Sequence, residues 1–134
     1  MKNHLLSFLF SFGLFIVLDL IWFKLFSNAF FYKNLEPIAR VKDGAFDLNY
    51  TSAIIVYLLL SLGIHFLVLQ VPNQTLAQLA LKGALFGLIT YGVYDFTNHA
   101  TLKHWPLKML MVDVSWGAFS CLVVTLLTAK LKSN

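Results

Sequence analysis

Apolar residues follow one another in four long runs, separated by short polar connections. The runs cover residues 5–26, 51–71, 76–96 and 107–128. Each is close to the ~20 residues that a helix needs to cross a ~30 Å hydrocarbon core. Since backbone N–H and C=O groups cannot stay unpaired in lipid, each run is predicted to be a helix. The pattern therefore predicts an all-α fold, an integral membrane four-helix bundle that forms a single transmembrane domain over residues 1–134.

The connections between the runs differ in length. The turn around Pro72 is short, so the second and third helices are predicted to form an antiparallel hairpin. Pro106 suits the first turn of the fourth helix, where its missing N–H costs nothing. The first connection, residues 27–50, mixes aromatic and basic residues and is interrupted at Pro37 and Gly44. We expect it to be an amphipathic segment that lies in the headgroup plane between spans 1 and 2.

Composition agrees with a membrane protein. The chain is 59% hydrophobic and only 12% charged, whereas soluble domains carry about 25% charged residues. Its thirteen Phe, five Tyr and three Trp suit lipid-facing surfaces and interfacial aromatic belts. The first run also exceeds the roughly 7–15 apolar residues of a cleaved signal peptide, so an uncleaved first span is expected.

Charge bears on partners and topology. The net charge is +4, but the ten basic residues are scattered between apolar runs and form no basic stripe, so no nucleic-acid partner is predicted. Membrane lipids are the expected partners. Four spans place both termini on one side. That side, with the second connection, holds four basic residues against six on the other, which favours a cytoplasmic location for the first and third connections.

The motifs of common cofactor and metal sites are missing from the sequence. Cys121 is the single cysteine, which excludes an internal disulfide, and no pair of histidines has zinc-site spacing. No phosphate-binding loop or dinucleotide fingerprint occurs, so no cofactor and no metal centre are predicted. His65 is expected to be a satisfied core residue. Gly83 and Gly87 form a GxxxG pattern, which predicts close helix packing.

Three aspartates interrupt the apolar runs. Asp19 lies seven residues before Phe26, which places it about 10 Å from the end of the first span at ~1.5 Å per residue. Asp95 is at the exit of the third span. Asp113 lies six residues into the fourth span, which starts on that same side. Antiparallel geometry therefore predicts that all three lie at similar, shallow depth in one half of the membrane.

The surroundings of these acids predict a binding site. An intramembrane acid costs roughly 2.5–3.5 kcal/mol to insert and usually faces the bundle interior. Three residues after the acids, on the same helix face, come Trp22, Asn98 and Trp116, whose N–H groups can donate to carboxylates across helices. The predicted ligand-binding residues are Asp19, Trp22, Tyr94, Asp95, Asn98, Trp105, Asp113 and Trp116.

The sequence leaves open what stabilises the three acids in the membrane. Mutual repulsion of three carboxylates at one level would be relieved by a bound cation or an exchangeable proton. Alternatively, the acids reach the interface and pair with Lys24, Lys103 or Lys108. In the third case they act as interhelical hydrogen-bonding groups worth about 0.6–2 kcal/mol each.

The stretch YDFTNHATLKHWPLKMLMVDVSWG, with LDLIWF in the first span, resembles the bacterial membrane family called domain of unknown function 2177. The resemblance covers the whole chain in length and four-span layout. It implies a multi-pass protein of the bacterial plasma (inner) membrane and brings no established activity. His99 departs from the family pattern, which has an apolar residue there. The matching residues are Tyr94, Asp95, Thr97, Asn98, Ala100, Thr101, Leu102, Trp105, Pro106, Val112, Asp113, Trp116 and Gly117.

Three functions follow as hypotheses, in this order. The first is binding, and proton-coupled transport, of a cationic or amphipathic small molecule or lipid, for which we also expect a homodimer because one chain encloses little volume. The second is an enzyme that uses the aspartates for acid–base chemistry on a lipid or isoprenoid substrate, assisted by His99 or Lys103. The third is an accessory subunit whose polar cluster is purely structural. Whether the chain is an enzyme stays open.

Overall fold

Four helices dominate the protein. The computed structural model describes residues 2–133, without the side chains of residues 2, 3, 26–28 and 133. The ends of the predicted domain, Met1 and Asn134, and the side chain of Phe26 lie outside the described residues. The prediction of an all-α protein with four spans is confirmed. The helices long and apolar enough to cross a membrane, by length and composition, are His4–Leu25, Tyr50–Val68, Leu76–Thr101 and Leu107–Lys132.

The first and second spanning helices each end in a π-helical segment. Helix α1 (Lys2–Trp22) continues as π-helix over Phe23–Phe31, and α3 (Tyr50–Gly63) continues over Ile64–Val68. The remaining helices are α2 (Tyr32–Leu35), α4 (Leu76–Thr101) and α5 (Leu107–Ser133).

The first connection contains a β-hairpin that the sequence patterns did not predict. Strands β1 (Val41–Lys42) and β2 (Ala45–Phe46) pair antiparallel. They are joined by Asp43 and Gly44, whose φ angles are 52° and 76°. An Asp-Gly pair with two positive φ angles suits a tight turn that matches the twist of the flanking strands. Gly44 therefore turns the chain within a hairpin rather than interrupting a helix.

The predicted span ends differ from the helix ends at several places. Helix α4 continues five residues beyond the predicted end at 96, because hydropathy marks apolar depth rather than the extent of backbone hydrogen bonding. The second span ends at Val68 rather than 71, because Pro72 disfavours helical backbone in the residue before it. The Gln74 amide then donates to the carbonyls of Val68 and Val71, and Thr75 caps α4.

Helices α4 and α5 form the most extensive interface, and it depends on glycine. A Cβ at Gly87 would overlap the backbone carbonyl of Gly117, and a Cβ at Gly83 would overlap the side chain of Thr125. Gly117 in turn leaves room for the ring of Tyr91. The close packing predicted from the GxxxG pattern is confirmed.

The other helices pack around this pair. Helix α1 contacts both α3 and α5. Helix α3 meets α4 mainly at the segment Ile64–Val68, next to the turn that joins them. Farther from that turn, a cavity separates Val56 and Leu59 of α3 from Thr90 of α4. The two helices therefore diverge toward the end of the bundle that carries the first and third connections, here called the loop end; the opposite end is the terminal end.

The glycine contact makes a testable prediction. We expect Gly87→Ala to destabilise the bundle by about 1–3 kcal/mol, because the methyl group meets backbone that no side-chain rotation can move. Gly92→Ala, on the same helix with open space around its Cβ, is the matched control and should be neutral or slightly stabilising. The measurement is unfolding by denaturing detergent in mixed micelles. Equal midpoints for the two variants would contradict this glycine-dependent packing of α4 on α5.

Candidate functional site

Asp19 joins three helices at the loop end. The Trp116 indole N–H on α5 donates to Asp19 Oδ1 at 2.8 Å. The Tyr57 hydroxyl on α3 also lies within hydrogen-bonding reach of this carboxylate. Both helices that pack against α1 thus supply a donor to the one acid that α1 contributes.

Asp95 is fully buried and is held by the third connection. The Trp105 indole N–H donates to Asp95 Oδ1 at 2.9 Å. Two contacts fix Trp105 itself: the His99 ring donates from Nδ1 to its carbonyl oxygen at 2.7 Å, and the Tyr94 ring packs edge-to-face at 5.7 Å between centroids. The short connection therefore folds Trp105 back over the last turns of α4. No described residue donates to the second Asp95 oxygen, Oδ2.

Asp113 faces another acid rather than a donor. Its carboxyl group lies within hydrogen-bonding reach of the Asp95 carboxyl group. Two carboxylates offer only acceptors, so this contact becomes a hydrogen bond only when one of the two carries a proton. The Asp95–Asp113 pair can therefore hold one exchangeable proton.

Lysine pairing does not neutralise this cluster. Within the described residues, no lysine or arginine is among the groups that act on Asp19, Asp95 or Asp113. Lys108 instead lies over the ring of Phe30, 5.7 Å from its centroid. The alternative in which Lys24, Lys103 or Lys108 pairs with the acids is therefore wrong for the described structure. No group of three His, Cys, Asp or Glu side chains there is arranged to hold a metal ion.

Two indoles form a wall beside Asp19. The rings of Trp22 and Trp116 stack with centroids 4.4 Å apart and planes 10° apart. Phe31 packs edge-to-face on Trp22 at 6.3 Å. The stacking fixes the plane of the Trp116 ring, which keeps its N–H directed at the Asp19 carboxylate.

Three cavities meet at Asp113, which is half-buried. A cavity of about 180 Å³ lies between Asp113 and Asp19. A second, of about 240 Å³, lies under the first connection and is lined by Phe46 and Trp105. The third, of about 380 Å³, is the cavity between α3 and α4. Asp113 is thus accessible from the interior, from the loop end and from the side of the bundle.

The predicted site residues gather at this end of the bundle with one difference. Seven of the eight form the contacts of the three acids and the indole wall. Asn98 lies within reach of the Tyr94 hydroxyl instead of a carboxylate, so the expectation that it donates to an acid is wrong.

Tyr57 and Tyr91 also lie at the site, although they are not among the residues predicted from the sequence. Tyr57 contacts Asp19, and Tyr91 lines two of the cavities at Asp113. A signal for Tyr57 does exist in the sequence: Tyr57, Ser61 and His65 interrupt the second apolar run at four-residue intervals, which places them on one helix face. That the eight predicted residues bind a ligand stays a prediction.

The Asp19–Trp116 bond can be measured in a double-mutant cycle. We expect Asp19→Ala and Trp116→Phe to show a coupling energy of about 1 kcal/mol, since each removes one partner of a part-buried hydrogen bond. The control cycle combines Asp19→Ala with Trp105→Phe, which removes a donor bonded to a different acid, and its coupling should be smaller. Unfolding free energies in mixed micelles give both values, and equal couplings would refute a specific bond.

Comparison with known proteins identifies the family. The family described as Predicted membrane protein (DUF2177) matches residues 4–130. Comparisons with curated proteins and with solved structures found no match. Because the family match covers almost the whole chain and includes all but the last two residues of the four spanning helices, this chain belongs to the DUF2177 family of predicted membrane proteins and is a multi-pass membrane protein.

Proposed function

We propose that this protein binds an amphipathic small molecule or lipid with a cationic or hydrogen-bond-donating head, in a bacterial plasma membrane. The head lies at Asp113 and the apolar part lies between α3 and α4. One observation carries the proposal: a carboxyl group that lacks a described N–H or O–H donor lines three cavities at once.

The chemistry of the acids selects the head group. Asp19 and Asp95 each accept a hydrogen bond from an indole, whereas the neighbour of Asp113 is a second acid. An ammonium or similar donor at Asp113 would satisfy that carboxylate and would reduce the repulsion between the two acids. The faces of Tyr91 and Trp116, which line the same cavity, add cation–π attraction.

The lateral cavity suits the apolar part. Its volume of about 380 Å³ falls in the range of ~300–1,000 Å³ usual for small-molecule sites. Val56 and Leu59 on its rim are exposed on the outer surface of a membrane-spanning helix, which is the surface that lipid covers. A hydrocarbon chain can thus extend from the cavity into the bilayer while its head stays at Asp113. The homodimer stays a prediction.

Acid–base catalysis on a lipid is a second candidate, favoured by the Asp95–Asp113 contact. Two carboxyl groups that share a proton can act as acid and base toward one substrate. His99 could assist in this arrangement through Nε2, because its Nδ1–H is bonded to the Trp105 carbonyl and Nε2 is then the nitrogen that can accept a proton.

Native mass spectrometry tests the binding proposal. We expect the wild-type protein, purified in mild detergent, to retain a lipid or small-molecule adduct. Asp113→Asn should weaken retention about tenfold (~1.4 kcal/mol), because the amide removes the charge with little change in shape. The control is Asp47→Asn, an exposed acid of the first connection, which should retain the adduct. Identical adducts in all three proteins would refute the acidic site and favour an accessory subunit.

Blocking the lateral cavity tests where the apolar part lies. We expect Leu59→Trp to fill the space between α3 and α4 and to reduce the retained adduct about tenfold while the acids stay unchanged. Ile55→Trp is the matched control, because it adds the same ring to an exposed position one turn away that does not line the cavity. A similar loss in both variants would show that the added indole acts on the membrane surface rather than in the cavity.

A further inference from the structure

Buried polar side chains continue from the acidic site toward the terminal end. On α3, Ser61 and His65 follow Tyr57 at four-residue intervals, so the three share one face. Each of the side chains beyond the acids is at most 5% exposed. Together they form what we call the polar stripe: Ser7 and Ser11 of α1, Ser61 and His65 of α3, and Ser120, Thr125 and Thr128 of α5.

These side chains are not interhelical hydrogen-bonding groups. Ser7 donates to the carbonyl of His4, and Ser11 to that of Phe8, both within α1. Ser120 likewise bonds within its own helix. No described residue partners the remaining polar atoms, which are Ser61 Oγ, His65 Nδ1, Thr125 Oγ1 and Thr128 Oγ1.

Unpartnered polar atoms are costly in a membrane protein, because hydrocarbon offers no alternative partner. Replacing Thr by Val or Ser by Ala would remove this cost and keep the packing. A purely structural role therefore does not account for four such atoms in one part of the bundle. Each can be hydrogen-bonded in a state that admits water.

The polar stripe leads to the outside of the terminal end. The ring of His65 packs edge-on against that of His4, with 5.5 Å between centroids, and Lys132 of α5 acts on it electrostatically. His4 is exposed. A small separation of α1, α3 and α5 at this end would therefore connect solvent with the buried hydroxyl groups.

An apolar layer lies between Asp19 and the polar-stripe residues Ser7 and Ser11 of α1. Phe15, Leu60, Cys121 and Val124 form this layer, and the same buried cluster continues beside the polar stripe with Ile64 and Val68. On α5, Ser120 precedes the layer and lies on the acid side. On the acid side of this layer cavities reach Asp113, whereas on the other side the polar groups are closed off from solvent. The bundle is thus open at one end and closed at the other.

We infer that the terminal half of the bundle opens to water in a second conformation, so that the acidic site is reached alternately from the loop end and from the terminal end. The inference rests on the proposed binding function and extends it to transport of the cationic-headed molecule. The apolar layer at Phe15 acts as the barrier, and the polar stripe hydrates when its end opens.

Labelling of single cysteines tests this opening. The background is Cys121→Ser, which removes the native thiol. Into it we place Ser61→Cys or Thr128→Cys in the polar stripe, or the matched control Leu127→Cys, which neighbours Thr128 but is 43% exposed on the outer surface. The proteins are reconstituted in phospholipid vesicles. The probe is a membrane-impermeant, cationic methanethiosulfonate, introduced on both faces by freezing and thawing so that insertion direction does not matter.

The reagent reacts with thiolates, which form in water and not in hydrocarbon. We expect the cysteines at 61 and 128 to react about tenfold faster than the cysteine at 127. Equally slow reaction at all three positions would overturn the inference, because the terminal half would then stay dry. Equally fast reaction at all three would overturn it too, because water would not be confined to the interior.

Two features keep the test decisive. Ser61→Cys exchanges one oxygen for sulfur, so it decides the question if Thr128→Cys does not fold into a monodisperse protein. Labelling also needs no ligand. Loss of the adduct in native mass spectrometry together with fast labelling would refute the binding function alone, whereas a retained adduct with slow labelling would refute only the opening.

Discussion

The arrangement of the acidic site depends on the contact between Gly87 and Gly117. With no Cβ on either residue, α4 and α5 approach until backbone meets backbone. From that contact, Asp113 lies about one helical turn toward the loop end along α5, and Asp95 about two turns along α4. Wider helix spacing would leave room for lipid or a large side chain between the acids. The glycines thus bring the two carboxyl groups together and also stabilise the packing of α4 on α5.

Two carboxylates this close repel each other, and hydrogen bonds from the protein stabilise only part of their charge. Each of two carboxylates receives one indole hydrogen bond, from Trp105 or from Trp116. Indoles suit this role because they bury a large apolar ring and have a single donor and no acceptor. The carboxyl group of Asp113 borders cavities rather than donors. A proton or a cationic ligand can supply the missing hydrogen-bond donor. The proton needs no movement of the helices, because the two acids can share it.

Part of this arrangement follows from the sequence, and the reason is geometric. Four runs of helix-spanning length and short connections determine antiparallel neighbours, which is enough to place Asp19, Asp95 and Asp113 at the same end. The rotation of each helix about its own axis is not determined in that way, so Tyr57 was missed. Loop geometry is likewise tertiary: the position of Trp105 over Asp95 depends on the His99 contact with its backbone. The hairpin at Asp43 and Gly44 was missed because its strands have only two residues each, too few to show the alternation that identifies a strand, although the Asp-Gly pair is itself a turn signal.

Each end of the bundle contains buried polar atoms that lack a hydrogen-bonding partner. Carboxylate acceptors without donors lie at the loop end, and hydroxyl donors without acceptors lie at the terminal end. If these residues were present only for stability, the sets would be expected to bond to each other, since an interhelical hydrogen bond is favourable in lipid. Instead the layer around Phe15 keeps them apart. A donor or acceptor that stays unpartnered in the protein is available to something that comes and goes, and water, protons and a polar head group are the species that can partner both sets in turn.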